Sequence, residues 1–283
     1  MKKSILILAL AFLLQPGKAQ SQDPDVLKSD ALMAQSIDDF TSAAQLFEAA
    51  VLAYEEKGVF DTLSVYRAGI NNIRLKKHER ALEFLNKMVL QKIESADLYH
   101  AMADAFIGLN NFAEAQSQLE RIPEINPEEA PQAYRKLATV CFNGRNFEDA
   151  IMYADKSLEN QSGDSHILLI KMMAQAQSGK VNEAIKTGED LLALDPENPR
   201  ANEQVGLLLS RITDMQYDRE KKRYDNLANP TRVDYSNTRK KLADISQQYR
   251  KAIPHLEKAL AANPNNTTVK NALENARRRL NEE

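Results

Sequence analysis

The chain has no tryptophan, only nine glycines among 283 residues, four histidines and a single cysteine. Scarce glycine argues against a phosphate-cradling loop, which needs backbone that only glycine adopts freely. A lone thiol, Cys141, cannot close an internal disulfide. Set against Leu137 and Ala138 at helical spacing, it reads as a buried structural group and not as a nucleophile. His78, His100, His166 and His255 are scattered without ligand spacing. No His-Glu-x-x-His, paired-cysteine or Gly-x-Ser-x-Gly motif occurs. The 40 acidic residues must form some close pairs by chance on solvated helices, so such pairs do not argue for catalysis. No catalytic residue, no metal and no cofactor is therefore expected.

Long apolar runs are also missing. The start, MKKSILILALAFLLQPGKAQ, offers only Ile5 to Leu14, short of the roughly 20 residues that span a bilayer. A basic pair, a short apolar stretch, a Pro-Gly break and a small residue at Ala19 make the layout of a secretory signal over residues 1–19. Retention as an uncleaved anchor is the alternative. With no cysteine near the cut, a lipid anchor is not expected, and cleavage leaves nothing that spans a membrane. The expected location is a bacterial periplasm or cell envelope. Asn265-Asn266-Thr267 and Asn266-Thr267-Thr268 match glycosylation acceptors, which matter only in a eukaryotic secretory route.

What is present is rhythm. NFAEAQSQLERI, NFEDAIMYADKSL, KVNEAIKTGEDLL and YRKAIPHLEKAL share an alanine followed by core positions four and seven residues on, which lie on one helical face. The anchors Ala43, Ala81, Ala115, Ala150, Ala184 and Ala252 are 38, 34, 35, 34 and 68 residues apart. A second apolar helix precedes each anchor, as in Tyr99, Met102, Ala103, Phe106 and in Tyr134, Leu137, Ala138, Cys141. In the fifth repeat the set Leu169, Met172, Met173, Ala176 stands one residue out of frame. A small residue lets two helices approach closely; Phe47, Leu85, Leu119 and Leu256 then fill the space between repeats.

A helix pair of about 34 residues with a proline twelve residues after the alanine, at Pro127, Pro196 and Pro264, resembles the tetratricopeptide repeat family over nearly all of the chain. The family's common tryptophan is absent. The resemblance implies an all-α, right-handed superhelical solenoid of helix-turn-helix repeats. Repeats one to five occupy residues 24–199, a sixth occupies 200–266 with an elongated basic hairpin at 214–250, and a capping helix follows at 267–283. It also implies a concave groove lined by leading helices, which in the family takes peptides. Carried across position by position, the groove holds Tyr66, Arg67 and Ile70, then His100, Asp104 and Ile107, then Arg135, Lys136, Thr139 and Phe142. The family's carboxylate clamp is not matched, since Tyr66 and Ile70 stand where its Lys and Asn belong.

The 68-residue gap equals two periods, and MQYDREKKRYDNLANPTRVDYSNTRKKL lies inside it. A hidden repeat there would bury Asp218, Lys222, Asp225, Arg239 and Lys240. Each unpaired buried charge costs several kcal/mol against a domain stability of about 5–15 kcal/mol, so the hidden repeat is rejected. Long arms of the sixth repeat remain: an outgoing helix with Leu208, Ile212 and Met215 on one face, a turn at Asn229-Pro230, and a returning helix with the heptad seam Leu242, Ile245, Tyr249, Ala252, Leu256, Ala259. Tyr217, Lys221, Arg223, Tyr224, Arg239 and Lys240 mark the arms as a partner surface.

Charge divides along the chain. Residues 20–213 hold 19 basic and 30 acidic side chains, a net of −11, and residues 214–283 hold 15 and 10, a net of +5. Opposite signs suggest an acidic partner for the hairpin or self-association. Nucleic acid is not expected of an exported protein. The resulting expectation is an exported scaffold or adaptor that holds an extended protein or peptide segment; the alternatives are a solenoid for envelope glycan or lipid, and a structural spacer.

Overall fold

The computed structural model describes residues 23–281; the expected signal at residues 1–19 lies outside them. Every element among the described residues is helical. Two compact units divide at Lys92 and Ile93. The first holds α1 (Pro24–Ser36), α2 (Phe40–Glu56), α3 (Thr62–Arg74) and α4 (His78–Leu90). The second opens with α5 (Ala96–Gly108), α6 (Phe112–Leu119), α7 (Ile122–Ile125) and a 3-10 turn at Pro127–Glu129. It continues through α8 (Ala130–Asn143), α9 (Phe147–Asn160), α10 (Ser165–Gln177) and α11 (Val181–Leu194) to α12 (Pro199–Asp225), α13 (Arg232–Ser246), α14 (Tyr249–Ala262) and α15 (Thr267–Asn281). Within each unit helix hairpins stack on their neighbours, and α15 closes the second by packing Val269 and Leu273 against Ala252, Leu256 and Ala259 of α14.

All six anchor alanines are fully buried, and so are Phe47, Leu85, Leu119 and Leu256 four residues beyond four of them. The fifth repeat takes the close approach furthest. A Cβ on Gly188 would stand 2.4 Å from Val205 Cγ2 and 2.7 Å from Met172 Sδ, so only glycine lets α11 pack at that distance.

Each of the first five leading helices ends on a residue in the left-handed region: Asp38, Lys76, Asn110, Arg145 and Gly179, each five residues before its anchor alanine. The next amide reaches back five residues, as in Lys77 N to Asn72 O at 2.9 Å and Asn146 N to Cys141 O at 2.8 Å. This is the Schellman closure, normally built on glycine. Only one of the five is glycine, so the turns carried little sequence signal. The exposed Lys76 and Arg145 each hold a strained conformation that costs an L-residue roughly 1–2 kcal/mol, partly offset by the greater unfolded-chain entropy of glycine. Lys76→Gly and Arg145→Gly are each expected to stabilise the fold by about 0.5–1 kcal/mol. Urea unfolding should show a higher midpoint at unchanged slope, and a lower midpoint would refute the strain argument.

The structure corrects four details. Pro123 ends the third repeat's second helix early, because its ring clashes with the carbonyl four residues back, that of Leu119; Ile122 stays fully buried even so. In the fifth repeat Ile167, Ile170 and Ala174 are buried with Met172, whereas Leu169, Met173 and Ala176 are only half-buried, so the regular frame holds after all. The returning arm is two helices, interrupted at Gln247 and Gln248, where Arg250 N and Lys251 N bond three residues back at 3.1 Å each. Leu242 and Ile245 are half-buried there, while Tyr249, Ala252, Leu256 and Ala259 are buried. Met215 leaves the inward face and is 57% exposed. In its place Asp214 faces inward, accepting from the Tyr249 hydroxyl and from Asn275 Nδ2 at 2.9 Å.

The tip of the arms is held by a Thr231/Asp234 capping box at the start of α13, with bonds of 3.0 and 3.1 Å. Asp218, Lys222, Asp225, Arg239 and Lys240 are exposed, in keeping with the absence of a buried seventh repeat.

Candidate functional site

The ten groove positions fall in both units. Tyr66, Arg67 and Ile70 sit half-buried on α3, on the side away from the buried Val65, Ala68 and Asn72. Arg67 Nε is enclosed and has no hydrogen-bond partner among the described residues.

The other seven lie in the second unit, where their charged members are paired with one another or with neighbouring acids. Lys136 Nζ on α8 meets Asp104 Oδ1 on α5 at 2.5 Å. Arg135 Nε bonds to Asp164 Oδ2 at 2.7 Å. Thr139 Oγ1 lies 3.3 Å from the Arg135 carbonyl, to which it donates, and 3.4 Å from His166 Nε2. Ile107 and Phe142 are half-buried apolar neighbours, with Phe142 tilted against Phe147 at 5.9 Å. The leading helices α5, α8 and α10 thus share a polar face crossed by ion pairs, with apolar side chains at its margin.

His100 sits in that face with its Nε2 3.6 Å from Glu129 Oε2. Burial lowers its pKa first and Lys136 lowers it further, against the opposing pull of Glu129 and Asp104; the ring is neutral at pH 7. Asp164 is the N-cap of α10 and accepts from His166 N at 3.0 Å and Ile167 N at 3.2 Å. Burial pushes its carboxyl up, but Arg135 and those two amides outweigh burial and hold it below the usual range. Glu129, Asp164 and His166 belong to this face and were missed by position-by-position transfer. Asp164 alone left a trace in the sequence, as a capping residue at the start of a helix.

On the hairpin, Tyr217, Lys221, Tyr224 and Asp225 of α12 face Tyr235, Thr238, Arg239 and Leu242 of α13 across an open cleft of about 380 Å³. Tyr224 and Tyr235 pack edge to face at 6.2 Å. Lys240 lines two neighbouring clefts instead. Arg223 is committed elsewhere, to Glu220 at 2.6 Å and Thr238 Oγ1 at 3.2 Å. In a neighbouring cleft that shares Tyr217, the Arg279 guanidinium of α15 lies 4.1 Å over the Tyr217 ring and pairs with Asp218 at 3.0 Å. Tyr235, Leu242 and Arg279 were not read from the sequence as part of this surface.

Among the described residues no group of three or more His, Cys, Asp or Glu could hold a metal ion, and no helix is long and apolar enough to cross a membrane.

Residues 73–140 match the tetratricopeptide repeat family model. A tetratricopeptide repeat-containing protein of Methanocaldococcus jannaschii is 33% identical over 102 residues, which is 35% of this chain; the match spans 29% of that relative's length. Among solved structures, YrrB, described as a tetratricopeptide repeat protein with an unusual peptide-binding site, aligns with a TM-score of 0.56 at 18% identity over 82% of this chain and all of its own. A tetratricopeptide repeat protein from Parabacteroides merdae aligns at 0.54 and 17% identity, over 91% of this chain and 99% of its own. At these identities the structural likenesses speak for the fold.

Proposed function

We propose, from the premise that the chain is built of tetratricopeptide repeats, that it is a non-enzymatic scaffold binding an extended peptide segment of another protein along the leading helices of its second unit. The carrying observation is the shared face of α5, α8 and α10, where the ion pairs Asp104–Lys136 and Arg135–Asp164 lie beside Ile107 and Phe142. Such a face offers an extended chain both charge partners and apolar margins. The peptide-binding site named for YrrB makes peptide recognition on this fold a reasonable precedent.

Placement in a bacterial envelope rests on Lys2-Lys3, the short apolar stretch Ile5 to Leu14 and Ala19. On the same reading the basic hairpin is a second surface, suited to an acidic partner.

Arg135→Glu with Lys136→Glu turns two groove cations into anions beside Asp164 and Asp104. Affinity capture from envelope fractions should lose a peptide-bound partner, with recovery falling at least about tenfold, the equivalent of 1.4 kcal/mol. Helicity should stay near that of the parent, while the unfolding midpoint falls, because the largely buried Asp164 loses its cation and gains a like charge. Unchanged partner recovery from a folded variant would reject the groove.

A further inference from the structure

The outer face of α1 is as unpartnered as the hairpin cleft, and the two match. Val26, Asp30 and Met33 of α1 and Ile37, its C-cap, are spaced four, three and four residues apart, which places them on one stripe turned away from the buried Leu27 and Ala31. Val26, Met33 and Ile37 are 52%, 68% and 72% exposed, and what sets them apart is that they share one stripe. Asp30 is exposed and makes no ion pair among the described residues. Asp38 and Asp39 extend the acidic character at the end of the stripe.

The cleft shows the complementary pattern. Tyr217, Lys221 and Tyr224 on α12 repeat at four and three residues, and Tyr235, Arg239 and Leu242 on α13 do the same. Each wall therefore reads ring, cation, ring or aliphatic, with Thr238 also on the α13 wall and Asp225 at the end of the α12 wall, one residue past Tyr224. Lys221 and Arg239 make no ion pair among the described residues, unlike Arg223 beside them. A helix laid along the cleft with an apolar, acid, apolar, apolar stripe would set its acid between these two cations and its apolar residues against the rings.

We propose that the hairpin cleft receives α1 of a second copy of this chain, forming a three-helix contact with Asp30 between Lys221 and Arg239. The proposal rests on the reading of the hairpin as a partner surface and names the partner. Charge complementarity supports a second copy: residues 20–213 carry a net of −11 and residues 214–283 a net of +5. Because stripe and cleft are different surfaces, each copy offers one of each, and association runs head to tail. A contact of about three helical turns lies at the small end of interface sizes, so association belongs to the micromolar range and weakens with salt.

The test is the oligomeric state of the purified protein by sedimentation and light scattering, from about 1 to 300 μM, a range chosen to bracket such a contact. Mass should rise with concentration at low salt and fall back at high salt. Asp30→Lys and the double variant Lys221→Glu, Arg239→Glu should each weaken association at least about tenfold. Mixed together, the two variants should associate where neither does alone, since the intact cleft of one meets the intact stripe of the other and the two exchanged surfaces are again opposite in charge. The triple variant combining all three exchanges should regain self-association. A parent that stays monomeric throughout, or variants that associate as the parent does, would overturn the proposal. A synthetic acidic amphipathic peptide that binds the cleft of such a monomeric parent would leave the hairpin a partner surface for other proteins; no binding by that peptide would count against that reading too.

Discussion

Phe47→Ala is expected to remove about 3–5 kcal/mol of stability, the usual range for a buried phenylalanine cut back to a methyl group. Phe47 is fully buried on α2, four residues after the anchor Ala43, and α2 packs on both α1 and α3. Stacked repeats owe their stability to interfaces between neighbours, because no single helix hairpin buries enough surface alone. A cavity on this helix therefore loosens both of its contacts. Native-state hydrogen exchange should show amides of α1 to α3 losing most of their protection. Leu52→Ala on the same helix is the control: its side chain is 56% exposed, and its removal should cost no more than about 0.5 kcal/mol. Equal effects from the two substitutions would mean that burial at the anchor face does not govern stability.

Alkali provides the second large effect. Burial pushes the Cys141 thiol up to about 12, with further upward pressure from Asp149 and Glu120. Tyr153 is raised by burial and by its bond to Glu120, and Tyr249 by burial and its bond to Asp214. Tyr99 is raised by burial and then by Glu94. In every case the folded chain holds the proton more tightly than the unfolded one. Their contribution is complete below the unfolded pKa values, roughly 8.5 for Cys and 10 for Tyr, and is lost as pH climbs towards the folded ones. Stability should be flat from neutral pH to about pH 8 and then fall, with Cys141 alone contributing a loss of about 4 kcal/mol by pH 12. Urea unfolding between pH 7 and 11 checks this. Cys141→Ala should begin less stable and decline less steeply; a slope identical to the parent would rule out the thiol as a source.

Much of the fold was legible because its cause is local and periodic. Ala43, Ala81, Ala115, Ala150, Ala184 and Ala252 are all buried as their spacing implied, since a close helix crossing admits only a small side chain. The turns were harder to read. Asp38, Lys76, Asn110 and Arg145 take a backbone conformation that sequence ordinarily advertises with glycine. The break at Leu119 follows from Pro123, a residue whose effect falls four positions upstream of itself.

The candidate site was legible only as positions. Sequence placed Arg135, Lys136 and Asp104 on leading helices, but not the acid that holds Arg135: Asp164 stands 29 residues away. The same holds on the hairpin, where Tyr217 and Tyr224 were visible and Arg279, 61 residues beyond its partner Asp218, was not.

Taken alone, the amino-acid order determined the helical class, the repeat length and the faces that must be buried, because hydrophobic periodicity and residue size act within a few turns of one helix. Which charge meets which, that the returning arm divides before Tyr249, and that eight side chains of α12 and α13 line a cleft were decided by tertiary packing alone. Those outcomes depend on how helices distant in sequence settle against one another, and no local preference encodes the pairing of two side chains that meet only once both helices are in place.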